Sequence, residues 1–272
     1  MAVDSIQPQN GTLLPSPHQA NGVLPGTTIS TAPQPKQPIT TISPPQTQPG
    51  RPTNSKETTL TLYEPSQLVN NPILLPLRDL INHAFDTAHT SHAMFSTPRL
   101  STPEYYLESL GSDPGTFAYI LTDNKAGTPI ATAGAHRYVA PVFEATTSEQ
   151  KRTFARVQLP SYITHAISTD PGTEIWELKL MAVAPMLQGQ GLARYLMDLV
   201  DQEVVQRIRA ERRGRGGGAG KLFMLITTLK EINGEFYARR GYGFDYETVH
   251  DEGWMGSKSG FGVVHMSKEV PL

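Results

Sequence analysis

The spacing of apolar and polar positions divides the chain into a silent stretch and a patterned one. Residues 1–58 carry no apolar face of either period. From Thr59 to Tyr63 apolar and polar residues alternate, which predicts a first strand. Leu77, Leu80, Ile81, Ala84, Phe85 and Ala88 then recur at threes and fours, the face of a helix beginning near Pro76. Thr102 as N-cap with Pro103 at the first position predicts a second helix, stopped by Gly111. Phe117 to Thr122 and Ile130 to Tyr138 read as two strands of a hairpin joined by Asp-Asn-Lys-Ala-Gly-Thr-Pro. Residues 139–173 show no clean period and are long for a loop. Thr147 to Leu159 carries charges in helical spacing and Asp170-Pro171-Gly172 is a turn, so the stretch reads as an insertion.

The strongest pattern follows. Ile175 to Val183 is an apolar, β-prone run ended by Pro185. After Gln188-Gly189-Gln190-Gly191 comes a helix with Leu192, Tyr195, Leu196, Leu199, Val200 and Val204 on one face, running to about Arg213. The unit is therefore strand, glycine turn, helix. The amides of a helix's first turn have no intrahelical acceptor, and with the helix dipole they form an anion site. Glycines there let a phosphate approach where a Cβ would block it. Lys221 to Thr228 suits a buried parallel strand, Ile232 to Arg240 a short helix ended by Gly241. Phe244 to Val249 and Gly262 to Val270 suit two last strands around a loop holding Trp254.

Two common glycine motifs do not fit: no Gly-Lys-Ser/Thr follows, and the third glycine of a dinucleotide fingerprint is missing. The segment instead resembles the acyl-CoA motif of the GNAT (Gcn5-related) N-acetyltransferase superfamily, Gln/Arg-x-x-Gly-x-Gly/Ala, in Gln188, Gly191 and Ala193, after a strand ending in Val183-x-Pro185. Phe236-Tyr237-Ala238-Arg239-Arg240-Gly241-Tyr242 resembles the second GNAT block, and the order of elements over residues 59–270 agrees. The resemblance implies an α/β GNAT (acyl-CoA N-acyltransferase) fold, a central mixed sheet of about seven strands flanked by helices. It also implies N-acetyl transfer from acetyl-CoA to a primary amine by direct attack in a ternary complex. The first helices and the insertion would roof the acceptor side.

The same resemblance assigns site residues. Amides from Gln188, Gly189, Gln190, Gly191, Leu192 and Ala193 would hold the pyrophosphate. Met181, Ala182 and Val183 would pair with the pantetheine arm and polarise the thioester carbonyl. Tyr237 matches the tyrosine that protonates the leaving thiolate; a phenol of pKa ~10 is protonated at neutral pH and can donate to a thiolate whose conjugate acid is ~8.5. Glu177 matches the strand carboxylate that acts as general base, and alternation puts it on one face with Lys179 and Met181, with Leu178, Leu180 and Ala182 on the other. Seven residues before the tyrosine the family carries a cofactor-contacting Asn; here Lys230 stands there, and Asn233 is the expected substitute.

Composition sets the frame. Nearly half of the 23 prolines lie in the first 58 residues among Gln, Thr, Ser and Asn, which predicts a disordered tail, 1–58, before one domain, 59–272. The net charge of −2 gives no field for nucleic acid or an anionic membrane. With no cysteine there is no thiol nucleophile or disulfide. No apolar run approaches the roughly 20 residues of a membrane span, and MAVDSIQPQN lacks the features of a signal or transit peptide. A soluble cytoplasmic protein is expected, with the nucleus an alternative. His83, His89 and His92 read as a solvated helix face and His165 as part of the insertion, so no metal is expected. Arg207 to Lys221 reads as a helix end and linker rather than a nucleic-acid contact. A longer acyl-CoA as donor, or a non-catalytic acyl-CoA-binding sensor, remain alternatives. The acceptor amine, small molecule or protein, is not legible.

Overall fold

The computed structural model describes residues 58–90, 95, 97–138, 172–213, 220–253 and 256–272. These all lie within one compact unit, Lys36–Leu272. The proposed tail up to residue 57, the helical spacing of Thr147 to Leu159, His92, His165, the glycine run 214–219 and Trp254 lie outside the described residues.

Seven strands are described: β1 (Thr58–Tyr63), β2 (Phe117–Asp123), β3 (Thr128–Arg137), β4 (Glu174–Val183), β5 (Leu222–Leu229), β6 (Gly243–His250) and β7 (Phe261–Val270). They form one sheet in the order β1-β2-β3-β4-β5-β7-β6. Only β4 and β5 run parallel; every other neighbouring pair is antiparallel. The helices are α1 (Pro65–Leu68), α2 (Leu74–Thr90), α3 (Tyr105–Leu110), α4 (Leu192–Arg213) and α5 (Glu235–Ala238). This is the mixed, helix-flanked sheet expected from the sequence. Among the described residues no helix is long and apolar enough to cross a membrane.

Strand alternation divides the core between the two faces. On β2, Phe117, Tyr119 and Leu121 pack with Leu196, Val200, Val204 and Ile208 of α4, while Ala118 and Ile120 pack with Leu77, Leu80 and Ile81 of α2 and Tyr106 and Leu110 of α3. The amphipathic stripes of α2 and α4 thus close opposite faces of one sheet, and a strand buried on both sides reads as a near-continuous apolar run. Burying a side chain of this size contributes roughly 1.5–3 kcal/mol, so α4 alone, with seven buried apolar residues, is a principal element of the core.

Four local expectations change. The helix expected from Thr102 begins at Tyr105, because the carbonyls of Thr102 and Pro103 accept the amides of Tyr105 and Tyr106 in a turn instead. The short α1 was not predicted; its signal is Glu64 and Gln67, which form a capping box around Pro65. The helix expected over 232–240 opens as a π-turn, Lys230–Gly234, before α5. Finally, β4 does not alternate throughout. Thr132 faces Ala182 and Gly134 faces Lys179, so Ala133 opposes two residues, Leu180 and Met181. Leu180 takes the extra position with φ 51, a left-handed conformation that costs about 1–2 kcal/mol for an L-residue. The bulge swaps the faces: Leu178 packs towards α4, Leu180 and Ala182 towards α2, and Met181 towards α4, away from the face of Glu177.

Candidate functional site

The two parallel strands do not stay together. β4 and β5 pair from Glu174↔Leu222 to Glu177↔Leu225 and no further. Beyond that rung β4 remains tied to β3 as far as Ala131↔Val183, and β5 to β7 as far as Leu229↔Val263. Each strand follows its own antiparallel neighbour, so the sheet opens between them. A cleft of about 880 Å³ occupies the gap, with Leu180 to Val183 on one wall and Ile226 to Leu229 on the other. The edges facing the gap carry backbone donors and acceptors with no strand opposite, the arrangement a peptide-like chain can join.

At the end of β4 the chain makes a 3-10 turn, Pro185–Leu187. The Gln188 side chain donates to the Val183 carbonyl at 3.2 Å and fixes the following loop to the strand end. The Gln188 backbone amide is taken by the Pro185 carbonyl at 3.2 Å. Gly189 and Gly191 adopt φ 75 and 85, and a Cβ built on Gly189 would meet nothing within 4 Å. The glycines therefore both make the left-handed turn possible and leave open space above it. The first intrahelical bond of α4 runs from the Tyr195 amide to the Gly191 carbonyl at 3.0 Å. The amides of Leu192 and Ala193 precede it and lie at the positive end of the helix. Gln188, Gly189, Gly191, Leu192 and Ala193 all line the cleft; Gln190 does not.

Tyr237 reaches the same cleft from α5, 5 % exposed, its ring edge-on to Phe236 and Tyr242 at 5.0 and 5.7 Å. Burial pushes its phenol above the ordinary tyrosine range, and its hydroxyl makes no hydrogen bond among the described residues. The π-turn before α5 sorts the two residues competing for the position of the missing Asn. Lys230 pairs with Glu247 of β6 at 2.6 Å, whereas Asn233 lines the cleft.

Glu177 does not line it. It lies at the last paired rung of β4 and β5, buried, 3.3 Å from His136 Nε2 and 3.0 Å from Lys179 Nζ. Burial alone would raise its carboxyl, but the His136 hydrogen bond and the Lys179 charge outweigh that and hold it below the ordinary glutamate range.

A mixed sheet whose parallel central strands part beside a glycine turn and a helix start, with the next strand returning antiparallel, is decisive for the architecture. This is the sheet arrangement that the GNAT resemblance of the sequence implies. No protein-family model and no curated protein matches the chain. Among solved structures it is similar to an N-acyl amino acid synthase from uncultured soil microbes (12% identity over 78% of this chain and 90% of that one, TM-score 0.43). It is also similar to the ribosomal-protein-S18-alanine N-acetyltransferase from Escherichia coli (14%, 79% and 95%, TM-score 0.42), and to an aminoglycoside 6′-N-acetyltransferase complexed with coenzyme A (14%, 78% and 98%, TM-score 0.44). At these identities the likeness is one of backbone course, and nothing about substrate follows from it.

The cleft also holds residues that sequence reasoning did not single out. Arg194 and Arg240 line the cleft; the first follows Ala193 in the opening turn of α4, the second sits in the block around Tyr237. Arg99 lines it from the connection between α2 and α3. Burial lowers the Arg99 pKa, with Tyr105 opposing. His265 of β7 receives or donates a 3.2 Å bond with Thr227 through Nδ1 and stacks on Tyr246 at 4.0 Å. Burial pushes its imidazole down to about 4, so it is neutral at physiological pH. His265 does not itself line the cleft, although its partner Thr227 does. No local pattern announces the three arginines, because each is brought to the cleft by a different segment.

Proposed function

We propose that this GNAT-fold protein is an N-acyltransferase that moves an acetyl group from acetyl-CoA to a primary amine. The observation that carries the reading is the convergence on one cleft of parted parallel strands, an anion-binding helix start and a buried phenol whose proton is not engaged. The residues present fit a CoA thioester. Open space above Gly189, first-turn amides and the arginines 194 and 240 suit a pyrophosphate, and unpaired strand edges suit the amide-bearing pantetheine arm. The thioester supplies an activated acyl carbon and a thiolate leaving group.

The chain's own residues then have four tasks. Amides of Met181 to Val183 stabilise the developing oxyanion, as preorganised donors in a dry cleft do most effectively. Tyr237 donates its proton to sulfur as the C–S bond breaks and the C–N bond forms. Asn233 contacts the donor from the second wall. Glu177, off the cleft wall below the point where the strands part, takes the amine proton through water rather than by direct contact; as a carboxylate held ionised by His136 and Lys179 it is available but a weak base. Purified protein with acetyl-CoA and an amine library, read by mass spectrometry and thiol release, tests the reading. Acetylated amines are expected. Tight acetyl-CoA binding with no acetylated amine would leave a sensor, and tighter binding of longer acyl-CoAs would reassign the donor.

A further inference from the structure

Every charged residue described on the cleft wall is an arginine: Arg99, Arg194 and Arg240, with no aspartate or glutamate among the described lining residues. Arg194 lies in the first turn of α4, and Arg240 borders a second, smaller hollow with it. Arg99 stands apart from α4. Its neighbour Leu100 is fully buried in the core between the sheet and α2 and α3, on the face opposite α4. The backbone there is clamped at two points, since Asn82 Nδ2 donates to the Leu100 carbonyl at 2.9 Å and Asn82 Oδ1 accepts the Leu100 amide at 2.8 Å. Arg99 is thus a held, half-buried guanidinium with no ion pair or hydrogen bond among the described residues. A desolvated cation without an anion is costly, and a ligand carboxylate would offset that cost in the two-pronged geometry the guanidinium favours. The cleft beside it is aromatic. Phe85, Phe95 and Phe261 all line it, with ring centroids 5.5 Å apart for the first pair and 5.0 Å for the second.

Resting on the acyltransferase reading above, we propose that Arg99 selects the acceptor: an amine that also bears a carboxylate and an apolar or aromatic group, such as an apolar amino acid. A described wall that carries arginines and no carboxylate disfavours polycationic amines. The anion at Arg99 could otherwise come from the donor, through a phosphate of CoA, and the two sources are separable.

The test is calorimetry on the full chain. CoA is titrated first, alone. N-acetyl-L-phenylalanine and N-acetylphenethylamine, a pair differing only in the carboxylate, are then titrated into the CoA-saturated protein. The carboxylated member is expected to bind at least tenfold more tightly. In Arg99→Met, and in Arg99→Gln as the more soluble variant, that preference should fall to within about threefold while CoA affinity stays the same. Equal binding of the pair to the wild type, no binding of either, or a preference that survives in the variants overturns the proposal with the donor site intact. A variant that loses tenfold in CoA affinity assigns Arg99 to the donor's phosphate and also overturns it. Failure of CoA to bind the wild type sinks the acyltransferase reading and this one together.

Discussion

Replacing Tyr237 by phenylalanine separates chemistry from packing. The ring is 5 % exposed and held by edge contacts to Phe236 and Tyr242, and Phe keeps all of that. The hydroxyl removed has no hydrogen-bond partner among the described residues, so its loss leaves no buried group unsatisfied and stability should hold or rise slightly. Burial raises the phenol's pKa, which makes it a weaker acid than free tyrosine but keeps it protonated beyond pH 9.5. Its stabilising share, as a neutral buried acid, is full below the ordinary value of ~10 and fades only as pH rises towards the raised one. A weak acid should contribute at the low end for general acid catalysis, about 10²-fold, or about 2.7 kcal/mol of barrier. The assay is steady-state CoA thiol release from pH 6.5 to 9.5, with acetyl-CoA affinity measured beside it. Turnover of Tyr237→Phe should fall about 10²-fold at neutral pH with affinity intact, and the defect should narrow as pH rises and the free thiolate needs no donor. A variant within twofold of wild type across that range refutes the role and leaves Tyr237 as core.

The remaining expectations follow from single features. Gly191→Glu forces a side chain onto φ 85 and sets a carboxylate at the helix start, so the calorimetric dissociation constant of acetyl-CoA should rise at least about tenfold; unchanged affinity in a folded variant would remove the anion site from that turn. Glu177→Gln should lower turnover by about tenfold, as expected for a weak base, and should also lower the melting temperature by a few degrees, because Lys179 loses its charge partner and His136 its hydrogen bond to a carboxylate. Since the folded carboxyl titrates below its unfolded value of about 4.3, the wild type's stability advantage is present above that pH and is lost as pH falls through the folded pKa; melting curves from pH 3 to 8 that stay parallel for the two proteins would contradict the pairing. A chain starting at Ser55 should keep its melting temperature and turnover, as residues 1–54 present no patterned apolar face, and a drop well beyond a few degrees would show that the tail packs.

The elements themselves were legible in the sequence because their signals are local. The stripe from Leu192 to Val204 is a property of neighbours three and four apart, and α4 spans Leu192–Arg213, the bound expected from the glycine run that follows in the sequence. The glycine turn was legible too, because a left-handed φ demands a residue without a Cβ. The resemblance in Gln188–Ala193 and around Tyr237 implied a mixed sheet of about seven strands, and seven are described in one sheet. What the sequence could not decide is where these pieces meet. The bulge at Leu180 breaks the alternation that placed Met181 beside Glu177, because its register depends on Ala133 across the sheet. Asn233 displaces Lys230 only because a π-turn rotates the chain while Glu247, on another strand, captures the lysine. Glu177 is paired off the cleft wall with His136 and Lys179, and Arg99 comes to that wall beside Leu100, which Asn82, eighteen residues before it, clamps. Periodicity records what each residue does with its neighbours in the chain, whereas burial, ion pairing and the parting of β4 from β5 depend on partners supplied by distant segments.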